Sequence, residues 1–243
     1  MKKIACMASI QERSESLQRT LDSIAPQMDE VHVYLNDYET KPTDQATNVY
    51  FYLADELAGD LGDAAKFYFI DKLPPCYYFT IDDDLTYHEH YAARHIEYLN
   101  WYNNEIITTY HGRASYEFPI KGYLKANPLT CINCACKYDV PFPTFVQFGG
   151  TGVMCIPTDK IKVNLSDFGE ERNMADTWIG IWAQKNNCPI LVVPHLKGEI
   201  LLDDNQIVEQ TIWGKSYKED LPVKVINREL EELRLITKIR SSI

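Results

Sequence analysis

At the start of the chain, the spacing of apolar and polar positions predicts a strand, then a helix, then a second strand. Residues 4–10 are a short apolar run that predicts a buried strand. Residues 14–28 place leucine and isoleucine at helical spacing, with Ser14 as a candidate N-cap. Residues 30–37 alternate in the manner of a second strand. This order predicts a βαβ unit with a parallel pair of strands.

The rest of the chain continues in the same way. Further strands are predicted at 65–71, 76–84, 105–112, 146–157 and 188–195, and further helices at 88–105, 173–187 and 223–243. Strands that alternate with helices indicate an α/β fold with a mainly parallel, Rossmann-like sheet flanked by helices. We expect one domain over residues 1–222, followed by an amphipathic C-terminal helix at 223–243.

Composition and charge exclude several classes of protein. The chain has 243 residues, 45% of them hydrophobic, and a net charge of −11, which disfavours nucleic-acid binding. The sequence has no stretch of about 18 apolar residues and no secretory signal pattern at its start. Seven scattered cysteines fit reduced thiols, so we expect a cytoplasmic location.

Three consecutive carboxylates, Asp82, Asp83 and Asp84, directly follow an apolar strand. Ligands bind at the carboxyl ends of strands in such sheets. Residues two apart in a strand share a side, so Asp82 and Asp84 are candidates to hold a hard divalent cation, Mg²⁺ or Mn²⁺. The alternative is a solvated acidic turn that caps the helix beginning near His88.

Four segments together resemble nucleotide-sugar glycosyltransferases of the GT-A fold, close to glycosyltransferase family 2. They are the first strand with Ser9 and Arg13 and the segment after it, the stretch GDAAKFYF, the DxD-type motif IDDD, and FGGTGVMCIP followed by MADTWIGIWAQKN. The resemblance covers most of residues 1–200. It implies a lobe that binds the nucleotide sugar at about 1–100 and an acceptor lobe at about 101–222.

The resemblance also implies roles for residues on the donor side. Ser9, Arg13, Asn36, Asp37 and Lys66 would contact the nucleotide. Asp82 and Asp84 would hold the metal on the donor diphosphate, with Asp83 near the ribose or the sugar. For Lys66 the alternative is an exposed lysine at the start of a strand.

On the acceptor side, the resemblance makes Asp176 the base of an inverting transfer. The alternative is a helix-dipole role in the first turn, with Asn173 as the N-cap. Gly150 and Thr151 would lie close to the donor sugar or the acceptor, unless the glycines only form a turn. His195 would complete the metal shell, although a lone histidine is often structural.

The function expected from these residues is metal-dependent transfer of a sugar to a hydroxyl of a glycan or glycoconjugate, with a UDP-sugar as the favoured donor. One rival is a haloacid-dehalogenase-type phosphohydrolase, because residues 82–86 also read DxDxT and Asp203 and Asp204 offer a late acidic pair. Another is a non-catalytic module that binds sugar nucleotides. The C-terminal helix could pack on the body, form a homodimer or lie on a membrane surface.

Overall fold

The structure, a computed structural model, describes residues 1–43, 46–121, 131–202 and 221–240, with backbone only for 232–240. In these ranges the strands are β1 (Lys2–Ser9), β2 (Glu30–Leu35), β3 (Val49–Leu53), β4 (Cys76–Asp82), β5 (Leu85–Tyr87), β6 (Ile107–Thr109), β7 (Gly112–Ser115), β8 (Cys131–Cys134), β9 (Thr144–Val146), β10 (Phe148–Gly149), β11 (Val153–Pro157), β12 (Ile190–Val192) and β13 (Ile200–Leu202). The α-helices are α1 (Ser14–Ile24), α2 (Tyr91–Trp101), α3 (Ala175–Lys185) and α4 (Leu221–Arg240).

The centre of the fold is an eight-stranded sheet flanked by helices, in the order β3-β2-β1-β4-β11-β6-β12-β9. Strands β3, β2, β1 and β4 are parallel neighbours, and β6 and β12 form another parallel pair. Strand β11 runs antiparallel to β4 and β6, and β9 runs antiparallel to β12. The fold is therefore α/β as expected, and the sheet is mixed: six of its eight strands run in one direction, while β11 and the edge strand β9 run in the other.

The predicted βαβ unit is confirmed, since β1 and β2 pair in parallel on either side of α1. The strand predicted at 65–71 is wrong, because Gly62–Phe67 form a 3-10 helix that is followed by turns. Its apolar side chains Ala65 and Phe67 are buried in the core, and a short apolar run does not distinguish a strand from a buried turn.

Both predicted N-caps are also wrong. Ser14 is the first residue of α1, and the residue before it, Arg13, makes no side-chain cap. Asn173 lies two residues before α3 with a positive φ of 58°. Its side-chain oxygen instead accepts a hydrogen bond from the N–H of Asp63, at 3.3 Å. The side chain therefore joins two segments that are distant in sequence.

The C-terminal helix α4 packs on the body over its first turns. Val223, Ile226 and Leu230 are buried against Trp178 and Ile181 of α3. The helix begins at Leu221, two residues earlier than expected. Its later side chains lie outside the described residues.

All seven cysteines are free thiols, as expected. Across the described ranges, no helix combines the length and the apolar character needed to cross a bilayer.

Candidate active site at the carboxyl edge of the sheet

The acidic triplet lies where oppositely directed strands meet. Strand β4 ends at Asp82, while its antiparallel neighbour β11 begins just after Gly152. The N–H of Asp82 donates to the carbonyl of Gly152 at 3.3 Å. A Cβ at position 152 would overlap the Asp82 carboxylate and lie 3.0 Å from the Asp82 Cβ. Glycine is therefore required here so that the carboxylate can cross the start of β11.

Arg13 neutralises the second and third carboxylates. It ends the short 3-10 turn after β1, and its Nη1 lies 2.8 Å from Asp83 Oδ1 and 2.9 Å from Asp84 Oδ2. Burial raises the pKa of Asp83, and Arg13 opposes this shift. The triplet is thus part of a charged network and not the solvated turn of the alternative interpretation.

Asp82 and Asp84 do not continue one strand, as the sequence pattern suggested. Because β4 ends at Asp82, the strand alternation does not extend to Asp84, which pairs with Arg13 while Asp82 pairs with Lys66. The side chain of Asp82 is 39% exposed and that of Asp84 is 14% exposed. The two carboxylates therefore meet different cations at the same edge of the sheet.

Lys66 is buried under the triplet and not exposed. Its ammonium pairs with Asp82 Oδ1, and only 5% of its side chain is accessible. Burial lowers the pKa of Lys66, but the carboxylates of Asp82 and Asp63 outweigh that effect and raise it. Lys66 therefore stays charged and balances the negative charge below the site.

Sequence reasoning missed Asp63, which joins this network to α3. Its Oδ2 accepts a hydrogen bond from the N–H of Ala175, the first residue of α3, at 2.9 Å. Its Oδ1 is buried and has no hydrogen-bond partner within the described ranges. Burial raises its pKa to about 6, and Lys66 opposes this shift. The only sequence signal was its place in GDAAKF, since the partner helix lies 112 residues further along.

Asp176 lies in the first turn of α3 and is held by Thr151. The backbone N–H and the hydroxyl of Thr151 donate to Asp176 Oδ1 at 2.7 and 2.6 Å. Thr151 belongs to the turn that leads into β11, and a Cβ at the preceding Gly150 would lie 2.9 Å from the Cβ of His111. The expected residues Gly150, Thr151 and Asp176 are thus brought together, on the side of β11 that also meets Asp82.

The residues expected to contact the nucleotide lie at the ends of β1 and β2. The Ser9 hydroxyl lies 3.1 Å from the Tyr38 hydroxyl. The Asn36 amide donates to the carbonyl of Gly62 at 3.0 Å, and its oxygen accepts from the Leu61 N–H at 3.1 Å. The exposed Asp37 accepts from the N–H of Gln11 at 2.6 Å. Asn36 therefore holds the segment that carries Asp63 and Lys66.

His195 follows β12 at this edge and is buried. Its Nδ1 donates to the carbonyl of Val193 at 2.7 Å, and its ring stacks on Tyr110 with centroids 4.8 Å apart. Its Nε2 is buried and has no partner among the described residues. Nearby His111 is neutral at pH 7, because burial lowers its pKa to about 4.

The structure describes no ready-made metal shell. Within its described ranges, no three His, Cys, Asp or Glu residues are grouped so that they could hold an ion. The expected set of Asp82, Asp84 and His195 is therefore not grouped in this way either. The donor chemistry still fits: two carboxylates suit a Mg²⁺-like cation, whose other positions water and phosphate oxygens fill. The metal therefore stays a prediction, as does the part of His195 in it.

Comparison with known protein families and with curated sequences finds no family model and no protein that matches this chain. The geometry of the site and the resemblance of its motifs are therefore the basis for a function of this protein.

Proposed function

We propose that this protein is a GT-A-like glycosyltransferase, similar to family 2, that moves a sugar from a nucleoside diphosphate to a hydroxyl acceptor. One observation carries the proposal: the acidic end of β4 and Asp176 of α3 both contact the Gly150–Gly152 turn, Asp82 at Gly152 and Asp176 at Thr151. A donor group beside Asp82 and an acceptor beside Asp176 would then meet at that turn.

On the donor side, Asp82 and Asp84 would hold Mn²⁺ or Mg²⁺ with the diphosphate. When bound, the cation supplies Lewis-acid stabilisation of the negative charge that develops on the leaving group. Ser9, Asn36 and Asp37 lie at the neighbouring strand ends, where base and ribose would bind. Arg13 and Lys66 limit the repulsion between the carboxylates and the anionic donor.

On the acceptor side, Asp176 would take the proton of the attacking hydroxyl. Thr151 donates two hydrogen bonds to Oδ1, which orients the carboxylate and leaves Oδ2 as the oxygen that accepts the proton. A single base on the face opposite the leaving group gives inversion. The acceptor class is a glycan or glycoconjugate.

The net charge of −11 makes the proposal testable through the cation. Carboxylates at the donor site repel a diphosphate, so donor binding should need a divalent ion more strictly than a site lined only by Arg and Lys. We also propose a cytoplasmic location, with homodimer formation and peripheral membrane contact open to a sedimentation measurement with and without vesicles.

The experiment measures the melting temperature with UDP-, GDP- and dTDP-sugars, each with Mn²⁺ and with EDTA. We expect one nucleotide, foremost UDP, to raise the melting temperature only when Mn²⁺ is present. If no nucleotide changes the melting temperature and the protein hydrolyses an aryl phosphate, the transferase proposal is wrong and the protein is a phosphohydrolase. Metal-dependent binding without transfer to any acceptor would leave a non-catalytic module.

Variants then test the base. Asp176→Asn should abolish transfer while it keeps donor binding, because only the proton acceptor is lost. The matched control is Glu89→Gln, since that side chain is 85% exposed and its ion pair is with His90, which is not part of the network. If Asp176→Asn transfers sugar at the wild-type rate, the assignment of the base is wrong.

A further inference from the structure

A groove of about 580 Å³ lies on the outer flank of α3, apart from the carboxylates of the candidate active site. Residues 162–171 form one wall, the face of α3 from Trp178 to the C-cap residue Asn186 forms the floor, and Arg228 and Glu229 of α4 close the other side. This volume is within the range of small-molecule binding sites. Its α3 floor extends about 12 Å along the helix axis, so a ligand longer than one ring would fit.

Four of the seven charged side chains that line the groove form ion pairs with one another. Arg228 pairs with Glu171 at 2.9 Å and with Glu229 at 3.0 Å, and Lys185 pairs with Glu229 at 2.8 Å. In all, three basic and four acidic side chains line the groove. An ionic ligand would have to compete with these pairs, so the groove favours a polar ligand without net charge.

The groove also contains an aromatic surface that is held in place. Trp178 is buried, and its Nε1 donates to the carbonyl of Glu171 at 3.0 Å. The ring of Phe168 packs edge-on against the ring of Phe67, with the ring centroids 4.8 Å apart. Trp182 packs on the core from one side and stays partly exposed. Rigid aromatic rings offer contact area at little cost in conformational entropy.

These features together identify the class of ligand. A sugar ring has faces that carry C–H groups, which pack on aromatic rings, and edges that carry hydroxyls, which bind carboxylates and amides. Glu170 and Asn164 line the same groove as Trp182 and supply such polar groups. An uncharged saccharide has one apolar face and a polar edge, so it fits this lining.

We propose that this groove binds a neutral oligosaccharide. If the proposed transferase function holds, on which this second step rests, the groove holds the part of the acceptor that lies beyond the reacting sugar. The same helix forms the floor of the groove and carries Asp176 in its first turn. Binding in the groove would therefore position the acceptor relative to the base.

The test measures equilibrium binding without any nucleotide sugar, so it does not depend on the donor site or on turnover. Maltohexaose, chitohexaose and cellotetraose are the neutral probes, a heparin-derived hexasaccharide is the anionic comparison, and calorimetry is the readout. We expect saturable binding of at least one neutral probe. Asp176→Asn should bind it equally well.

Trp182→Ala should weaken that binding at least ten-fold. The matched control is Trp101→Ala, a tryptophan that is 63% exposed on α2 and should leave the affinity unchanged. Glu170→Gln, at an exposed position, should weaken binding two- to five-fold and covers the case in which Trp182→Ala does not fold.

Three results would overturn the inference: no saturable binding of any neutral probe, tighter binding of the anionic hexasaccharide, or an equal loss in Trp101→Ala. Failure of the nucleotide test with intact saccharide binding would instead overturn only the transferase.

Discussion

Gly152→Ala is the sharpest perturbation of the candidate site, because the three atoms nearest to the added Cβ all belong to Asp82. The φ of Gly152 lies outside the left-handed region, so alanine brings no backbone strain there. Its Cβ would overlap the Asp82 carboxylate and lie 3.0 Å from the Asp82 Cβ. Rotation of the Asp82 side chain relieves the first contact but not the second.

The magnitude follows from these two contacts. Ordinary carbon–carbon contact begins near 3.5 Å, so β4 and the start of β11 must separate by roughly half an ångström. The carboxylate can swing outward, since 39% of its side chain already meets solvent. We therefore expect a loss of about 1–2 kcal/mol in the free energy of unfolding, at the low end for overpacking. The swing also separates the Asp82 carboxylate from Lys66. Donor binding at the site should therefore be affected far more than the stability of the fold.

The assay combines urea denaturation with the nucleotide-dependent shift of the melting temperature. At roughly 2–4 °C for each kcal/mol, the variant should melt several degrees lower and show no donor-dependent shift. In an Asp82→Ala background, Gly152→Ala should cost clearly less, because the carboxylate overlap is gone. A variant with wild-type stability and a wild-type donor shift would refute the placement of Asp82 across β11.

Three further predictions concern the buried network. Lys66→Met should lower the free energy of unfolding, measured by urea denaturation, by about 2–3 kcal/mol. This loss is smaller than for a fully buried ion pair, because Asp82 keeps solvent contact. An unchanged denaturation midpoint would contradict the burial of this ion pair. Folding holds the Asp63 proton more tightly, with a pKa raised from 3.8 to about 6, so this carboxyl should destabilise the protein as the pH rises from about 4 to 6, by about 3 kcal/mol in all. Asp63→Asn should flatten that part of the curve of unfolding free energy against pH. An identical slope in the wild type and the variant would show that the pKa of Asp63 is not raised. Thr151→Val should slow transfer about ten-fold with the donor Kd unchanged, because one of two hydrogen bonds to Asp176 is lost, while Thr151→Ser should keep the wild-type rate.

Local patterns were sufficient for those parts of the fold whose elements are long and periodic. The β1–α1–β2 unit, strand β4, and helices α2 and α3 lie where apolar spacing predicts them. The 65–71 segment failed because its apolar residues are buried from a 3-10 turn, and burial alone does not report the backbone conformation. The reversed directions of β9 and β11 did not follow from the sequence pattern, because strand direction depends on pairing between distant segments.

By itself, the sequence determined an α/β chain, an acidic strand end at Asp82–Asp84 and an acidic residue at the start of α3. The tertiary structure decided which charges meet. It buried Lys66 beneath Asp82, placed Arg13 on Asp83 and Asp84, and joined Asp63 to α3 across 112 residues of chain. The physical reason is that a buried charge is tolerated only when a partner is near, and that partner comes from another part of the fold.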